Sequence, residues 1–212
     1  MSEHTRVNTF GVVLLAAGAS RRMGTCKLLL PWGNKTILVH LLNQWRTLGV
    51  AQIAPVIDAS NQLLKTALVD ARFSSGEWIN NFFPERGMFS SLWEASRWKG
   101  WRSGLTHVVV ALGDQPHIKI STLRVLLETT RQHPSRICQP VFNGCAAHPL
   151  ILPVNQFLAL AESDATDLSE FIRKHEDLRL RVAVSDAGVT GDLNTPADYV
   201  HWAPRSIEHE KW

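Results

Sequence analysis

The chain has 212 residues, 45% of them hydrophobic and 19% charged, a make-up that suits one sizeable α/β core and excludes a disordered or fibrous chain. Its formal charge of +3 is slight and its 22 Lys and Arg residues form no basic block, so nothing calls for nucleic acid, and small phosphorylated ligands account for the charge as well. No apolar run approaches the roughly 18 residues of a membrane helix, the start MSEHTRVNTF is not a signal peptide, and Cys26, Cys138 and Cys145 have no CxxC spacing for a disulfide framework or zinc ribbon; a cytoplasmic protein with free thiols is expected.

The residues before Phe10 read as a tail. Gly11 to Ala16 is a continuous apolar run of the length of a strand buried on both faces, which belongs to a parallel sheet. It stops at Ala17 and enters GASRRMGTCK. Phosphate loops need backbone N–H groups converging on one concavity, small residues that let the chain come close, and a cation against the phosphate charge. Gly18, Ala19, Ser20 and Gly24 meet the second need, and Arg22 and Lys27 the third. The loop lacks the GK[ST] ending of a P-loop, and it is not GxGxxG, which speaks against a nicotinamide oxidoreductase. An ordinary solvated basic turn is the plain alternative.

Pro31 and Gly33 make a turn, and Thr36 to Leu48 carries Ile37, Leu38, Leu41, Leu42, Trp45 and Leu48 at helical spacing, ended by Gly49. Gln52 to Ile57 reads as a second buried strand despite Pro55, which suits a position near a strand end or edge. Asn61 to Val69 is a helix, Glu77 to Asn80 a short strand, and Met88 to Trp98 a helix with Gly87, Ser90 and Ser91 at its start, where small polar residues serve as caps or face an anion. His107 to Leu112, HVVVAL, is the third strong strand and runs into Gly113, Asp114, Gln115 and Pro116. Asp114 therefore sits just past the carboxyl end of a parallel strand, where open α/β sheets bind ligands, although such an aspartate can also simply bond its own turn.

Ser121 to Gln132 is a helix with Ser121 as its cap, Ile137 to Phe142 a strand, and Asn143 and Gly144 a turn. In HPLILP, His148 with Cys145 and Cys138 falls short of four metal ligands and fits no finger spacing. Pro153 to Ala161 and Ala165 to His175 read as helices, and Leu178 to Val184 as a strand. In GDLNTPADY, Thr195 and Pro196 have the N-cap and N1 pattern of a helix start, with Asp192 and Asn194 just before it. No repeat or linker divides the chain: residues 10–203 read as one domain between tails 1–9 and 204–212.

Leu15, Ala16 and Ala17 followed by Gly18, Arg22, Gly24 and Lys27 match the pattern LxxGxxxRxGxxK of the nucleotidyltransferases that activate sugars and cofactors. Within them, LAAGASRRMG with KLLLPWGNKTIL most resembles the molybdenum cofactor cytidylyltransferases. The resemblance runs over residues 10–200. It implies a single α/β domain with a mostly parallel, Rossmann-like sheet and helices on both faces, and Mg2+-dependent transfer of CMP from CTP to the phosphate of molybdopterin with release of pyrophosphate. It implies that Leu15 to Ser20, Arg22, Gly24, Lys27, Asn81, Ser90, Ser91, Gly113 and Asp114 bind the nucleotide, with Arg22, Lys27 and Asp114 catalytic; that Asp114 with Asp192 or Asn194 holds magnesium; and that His148 and Pro149 lie on the acceptor side. A molybdenum hydroxylase is the implied recipient. Family members that use GTP tend to carry two glycines where this chain has Ala17-Gly18. The chain departs from the family at Phe82 in place of proline, at Ala147 in place of glycine, and in lacking a GDxGxR segment near ESDATDLSEF. Another nucleotide or a sugar phosphate acceptor on the same fold, and a non-catalytic molybdopterin carrier, are the rival readings.

Overall fold

The computed structural model describes residues 8–18 and 21–204. Ala19 and Ser20 of the expected phosphate loop lie outside the described residues, as do the expected tails except for Asn8, Thr9 and Pro204. The strands are β1 (Phe10–Leu15), β2 (Pro31–Trp32), β3 (Lys35–Thr36), β4 (Gln52–Asp58), β5 (Ile79–Asn81), β6 (His107–Leu112), β7 (Ile137–Phe142), β8 (Cys145–Ala146), β9 (Leu150–Pro153) and β10 (Arg179–Ala183). The α-helices are α1 (Ile37–Thr47), α2 (Gln62–Asp70), α3 (Met88–Arg97), α4 (Ile120–Gln132), α5 (Val154–Ala159), α6 (Leu168–Lys174) and α7 (Pro196–Trp202).

The main sheet has the order β10-β7-β9-β6-β1-β4-β5, with β8 paired to β7. β1, β4, β5 and β6 run parallel, as the apolar runs of β1, β4 and β6 require. β9 lies antiparallel between β6 and β7. That strand is the HPLILP segment, which spacing alone left unassigned: four consecutive buried residues are too few to declare a period. β1 sends the chain to β4 on one side, and β6 returns on the other, so the carboxyl ends of β1 and β6 part at a topological switch point.

Alternation in the strands divides the core between the two faces. Val12, Leu14 and Val109 meet Leu38, Leu41 and Trp45 of α1, Leu64 and Leu68 of α2, and Leu123 and Leu126 of α4. Val13, Val108 and Val110 meet Leu92 and Ala95 of α3, Phe157 of α5 and Phe171 of α6. This is the expected three-layer α/β domain with a mostly parallel mixed sheet.

Pro55 sits in the interior of β4, not at its end. The carbonyl of Val56 accepts from the backbone N–H of Ala16 at 2.8 Å, so the polar groups of its neighbour Pro55 point the other way, toward β5. β5 begins opposite Val56, and no ladder bond is lost at the proline. Ser121 does not cap α4: the helix starts at Ile120, after Lys119, and the cap comes from a distant side chain described below. Thr36, Asn61 and Thr195 do cap α1, α2 and α7, Thr195 in a capping box with Asp198 and Pro196 as the first helical residue.

Candidate functional site

At the switch point, a cleft of about 340 Å³ is lined by Leu15, Ala17 and Gly18 after β1, by Pro84, Gly87, Met88 and Ser91 at the start of α3, and by Leu112, Asp114, Asp192 and Asn194. Two larger hollows lie elsewhere. One, of about 580 Å³, is between Trp32 and Trp202 behind the 116–118 turn, and the other, of about 770 Å³, is at the amino end of β6. Neither is lined by a carboxylate, so the acidic groups, and not volume, make the cleft the candidate site.

Gly113 brings the two strand ends together. Its N–H donates to the carbonyl of Leu15 at 2.9 Å, and a Cβ at Gly113 would stand 2.7 Å from that oxygen. Only glycine lets β6 deliver Asp114 this close to the β1 loop. Gly24 has φ of +67°, a left-handed turn that L side chains avoid. Gly18 differs: a Cβ there would meet nothing within 4 Å, so its smallness keeps space open and relieves no clash in the protein.

Lys27 donates from Nζ to Asp114 Oδ2 at 2.7 Å and to the carbonyl of Leu193 at 3.1 Å. Both partners of the ion pair are mostly shielded from water, at 13% and 21% side-chain exposure, which strengthens their attraction over that of a surface pair. The Leu193 N–H donates to the Asp114 carbonyl at 2.9 Å. These contacts tie three segments far apart in sequence into one cluster. Arg22 is exposed in the short 3-10 turn Arg21–Met23. Asp198 is held below the ordinary carboxylate range chiefly by the hydroxyl and N–H of Thr195, with Arg22 a lesser cause, which puts Arg22 on the side of the α7 amino terminus.

Asp192 and Asn194 stand on the cleft wall with Asp114. Burial, and after it the charge of Asp114, push the Asp192 carboxyl above its ordinary value. Among the described residues no group of three His, Cys, Asp or Glu side chains could hold a metal. Two carboxylates sharing a cleft nevertheless fit magnesium, which binds through one or two protein carboxylates and completes its shell with phosphates and water. Cys138 is buried and Cys145 exposed, and neither lines the cleft, whereas half-buried Cys26 lines a small adjoining hollow with Gly18, Lys27, Gly113 and Asp114.

Asn81 is fully buried and points inward. Its Nδ2 donates to Ser90 Oγ at 2.8 Å and Ser91 Oγ at 2.9 Å, while its Oδ1 accepts from the Phe83 N–H at 2.8 Å. Ser90 donates back to the Gly87 carbonyl at 2.7 Å. Neither serine caps α3, whose N-cap is Gly87 with no side-chain bond. Asn81 and Ser90 thus shape the cleft wall from behind, and Ser91 reaches it. His148 is part-buried, its Nδ1 3.5 Å from the Val110 carbonyl, and burial lowers its pKa. Pro149 is buried beside Gln115 and Ala111, behind the cleft.

Sequence reasoning missed the residues that dock the closing segment. Asp186 Oδ2 accepts from the Lys119 N–H at 2.9 Å and from Thr122 Oγ1 at 2.8 Å, which caps α4 from 67 residues away, and its Oδ1 accepts from the Gly188 N–H at 3.1 Å. His117 Nε2 faces the carbonyls of Gly188 and Gly191 at 3.0 and 3.1 Å, and Gln115 donates to Asp192 Oδ1 at 3.0 Å. No local pattern signals these side chains, because their partners come from the other end of the chain.

A family model described as a MobA-like NTP transferase domain matches residues 12–178. The bifunctional protein GlmU of Nitrosomonas europaea is 28% identical over 200 residues, covering 89% of this chain and 42% of that protein, so the chain spans less than half of its length. The nicotine blue oxidoreductase of Paenarthrobacter nicotinovorans is 26% identical over 199 residues, covering 86% of this chain and 91% of that protein. Among solved structures, Rv0371c of Mycobacterium tuberculosis in complex with manganese has a TM-score of 0.64 and 22% identity, covering 92% of this chain and 98% of that one, a likeness of fold.

Proposed function

The chain belongs to the MobA-like NTP transferase domain family, and from that premise we propose that it moves the cytidylyl group of CTP onto the phosphate of molybdopterin. The observation that carries this reading is the convergence of Lys27, Asp114 and Asp192 on one cleft at the carboxyl ends of β1 and β6. An oxygen of the acceptor phosphate attacks the α-phosphorus of CTP in line. The new P–O bond forms as the bond to the bridging oxygen breaks, and pyrophosphate leaves with its electron pair. The acceptor phosphate is already anionic at neutral pH, so catalysis is positioning and charge stabilisation, with no covalent nucleophile or histidine base.

The loop from Ala17 to Lys27 holds the triphosphate. Lys27, paired with Asp114 and Leu193 in this structure, turns part of its charge to the phosphates, and exposed Arg22 adds a second cation. Asp114 and Asp192, with Asn194 beside them, would hold a magnesium ion, which would supply charge neutralisation on the phosphates. A manganese complex of a protein of similar fold supports a divalent ion here. Ala17 is buried on the cleft wall, and its methyl group takes space that a purine would use. His148, half-buried, belongs to the acceptor side in this reading, whereas Pro149 lies too deep behind the cleft to touch an acceptor.

The test is pyrophosphate release with each nucleotide, with and without molybdopterin. CTP is expected to exceed GTP in kcat/KM by about 10- to 200-fold, the range that one methyl group can impose, and Ala17→Gly to narrow the gap. GTP used as well as CTP would overturn the nucleotide assignment, and release that ignores molybdopterin would overturn the acceptor. One relative is instead named an oxidoreductase, nicotine blue oxidoreductase. Oxidation of a nicotinamide cofactor without pyrophosphate release would favour that reading.

A further inference from the structure

Gln115 follows the metal-turn aspartate directly, yet it is only 4% exposed. Its Nε2 donates to two acceptors, the Val189 carbonyl at 3.2 Å and Asp192 Oδ1 at 3.0 Å. Those partners fix the orientation of the amide, since a flip would set its oxygen against a carbonyl and a carboxylate. The price of this orientation is that Gln115 Oε1 is buried without a partner among the described residues. A buried polar atom left unpaired is unfavourable, and an apolar side chain of the same length would fill the space without that penalty. Packing alone therefore does not account for a glutamine at this position.

The backbone on either side of Asp192 is held by other bonds: Leu193 N–H to the Asp114 carbonyl, Lys27 to the Leu193 carbonyl, and His117 to the Gly188 and Gly191 carbonyls. Gln115 alone among the described residues bonds the Asp192 side chain, through Oδ1. We infer that Gln115 is a positioning residue, whose amide pins one oxygen of Asp192 and turns that carboxylate toward a divalent cation shared with Asp114. This rests on the reading of Asp114 and Asp192 as the metal pair. The acceptor in the pinning bond is a carboxylate, which makes the bond charge-assisted and directional, and supporting side chains of this type typically change metal affinity by about 10- to 100-fold.

Manganese titration of the nucleotide-free protein, followed by electron paramagnetic resonance, tests the inference without recourse to activity. Four proteins are compared: the native chain, Gln115→Met, Asp192→Asn and the double variant. Gln115→Met is expected to weaken manganese binding by about tenfold or more and to add nothing in the Asp192→Asn background, because its effect runs through that carboxylate. In turnover, the native kcat should return at saturating metal. Unchanged manganese affinity in Gln115→Met, with Asp192→Asn weakened, overturns the inference and leaves the metal reading standing, as does full additivity in the double variant. Unchanged affinity in Asp192→Asn overturns the metal reading itself. Should Gln115→Met fail to fold, Gln115→Asn keeps the amide but is one methylene too short to reach Asp192, and the same outcomes are read from it.

Discussion

The two sides of the cleft are held in place by different physical means. From β1 to β6 the site is delivered by parallel ladders and apolar burial: Val12 to Leu14 and Val108 to Val110 are almost wholly buried, and Asp114 arrives at the end of such a strand past a glycine. The wall that carries Asp192 and Asn194 belongs to no strand, and polar side chains dock it: buried Asp186 on the α4 start, half-buried His117 on two carbonyls and buried Gln115 on Asp192. The first wall is specified by pattern and the second by individual bonds. A point change on the first should therefore affect chemistry through charge, and one on the second should affect stability or metal affinity.

The largest expected effect falls on the first wall. Asp114→Asn keeps the shape of the turn and removes the charge proposed to hold the metal, and removal of a stabilising group of this kind costs roughly 2.7–4 kcal/mol, or about 100- to 1,000-fold in turnover. The thermal midpoint should change far less than turnover. Near-native kcat at saturating magnesium would show that the ladder delivers a structural aspartate and not a ligand.

Asp186→Ala inverts that expectation. It strips partners from the Lys119 and Gly188 N–H groups and from Thr122, all around a residue that is 5% exposed. Loss of a cap together with buried unsatisfied donors should destabilise the fold by about 2–4 kcal/mol. Urea unfolding measures it, and stability within 0.5 kcal/mol of native, the usual range for surface changes, would mean that the second wall is held by packing after all.

Legibility in the sequence follows the same division. β1, β6, α1 and the Gly113-Asp114 turn were readable because a buried parallel strand and an amphipathic helix each impose a local period. The start of α7 was readable for the same reason, since a cap and its N1 proline are neighbours. α4 misled: Ser121 has the right residue type, but Asp186 from a remote segment occupies the capping role. Asn81 was singled out only through the family resemblance, and its burial and its bonds to Ser90 and Ser91 depend on a turn that no periodicity describes.

A third variant, Lys27→Ala, lies where the two walls meet, because Lys27 bonds both Asp114 and the Leu193 carbonyl. Charge-assisted bonds of this kind are worth about 1.5–3 kcal/mol, so kcat/KM for the nucleotide should fall by roughly 10- to 150-fold. Lys27→Arg should recover only part of it, since a planar guanidinium cannot take the place of a compact ammonium facing two partners. An unchanged kcat/KM would remove Lys27 from the site.

The smallest effect concerns pH and reaches beyond the cleft. Burial lowers the pKa of His40, His107, His117 and His148 from the ordinary imidazole value of 6.5. At pH above 6.5 these rings are neutral in both the folded and unfolded chains, and they contribute nothing to the pH dependence. As pH falls below 6.5 the unfolded chain takes up protons that the buried rings refuse, so stability is lost until the folded pKa values are passed. No single ring can contribute more than about 1.4 kcal/mol per pH unit. His117 and His148 lie near the cleft, whereas His107, at the amino end of β6, is 2% exposed and far from Asp114. His107→Gln should therefore reduce the loss of stability between neutral and mildly acidic pH without altering the metal dependence of turnover. A native chain whose urea midpoint is flat across that window would show that the lowered imidazoles do not govern its acid stability, and a His107 variant with altered metal dependence would show that the two walls are coupled through the length of β6.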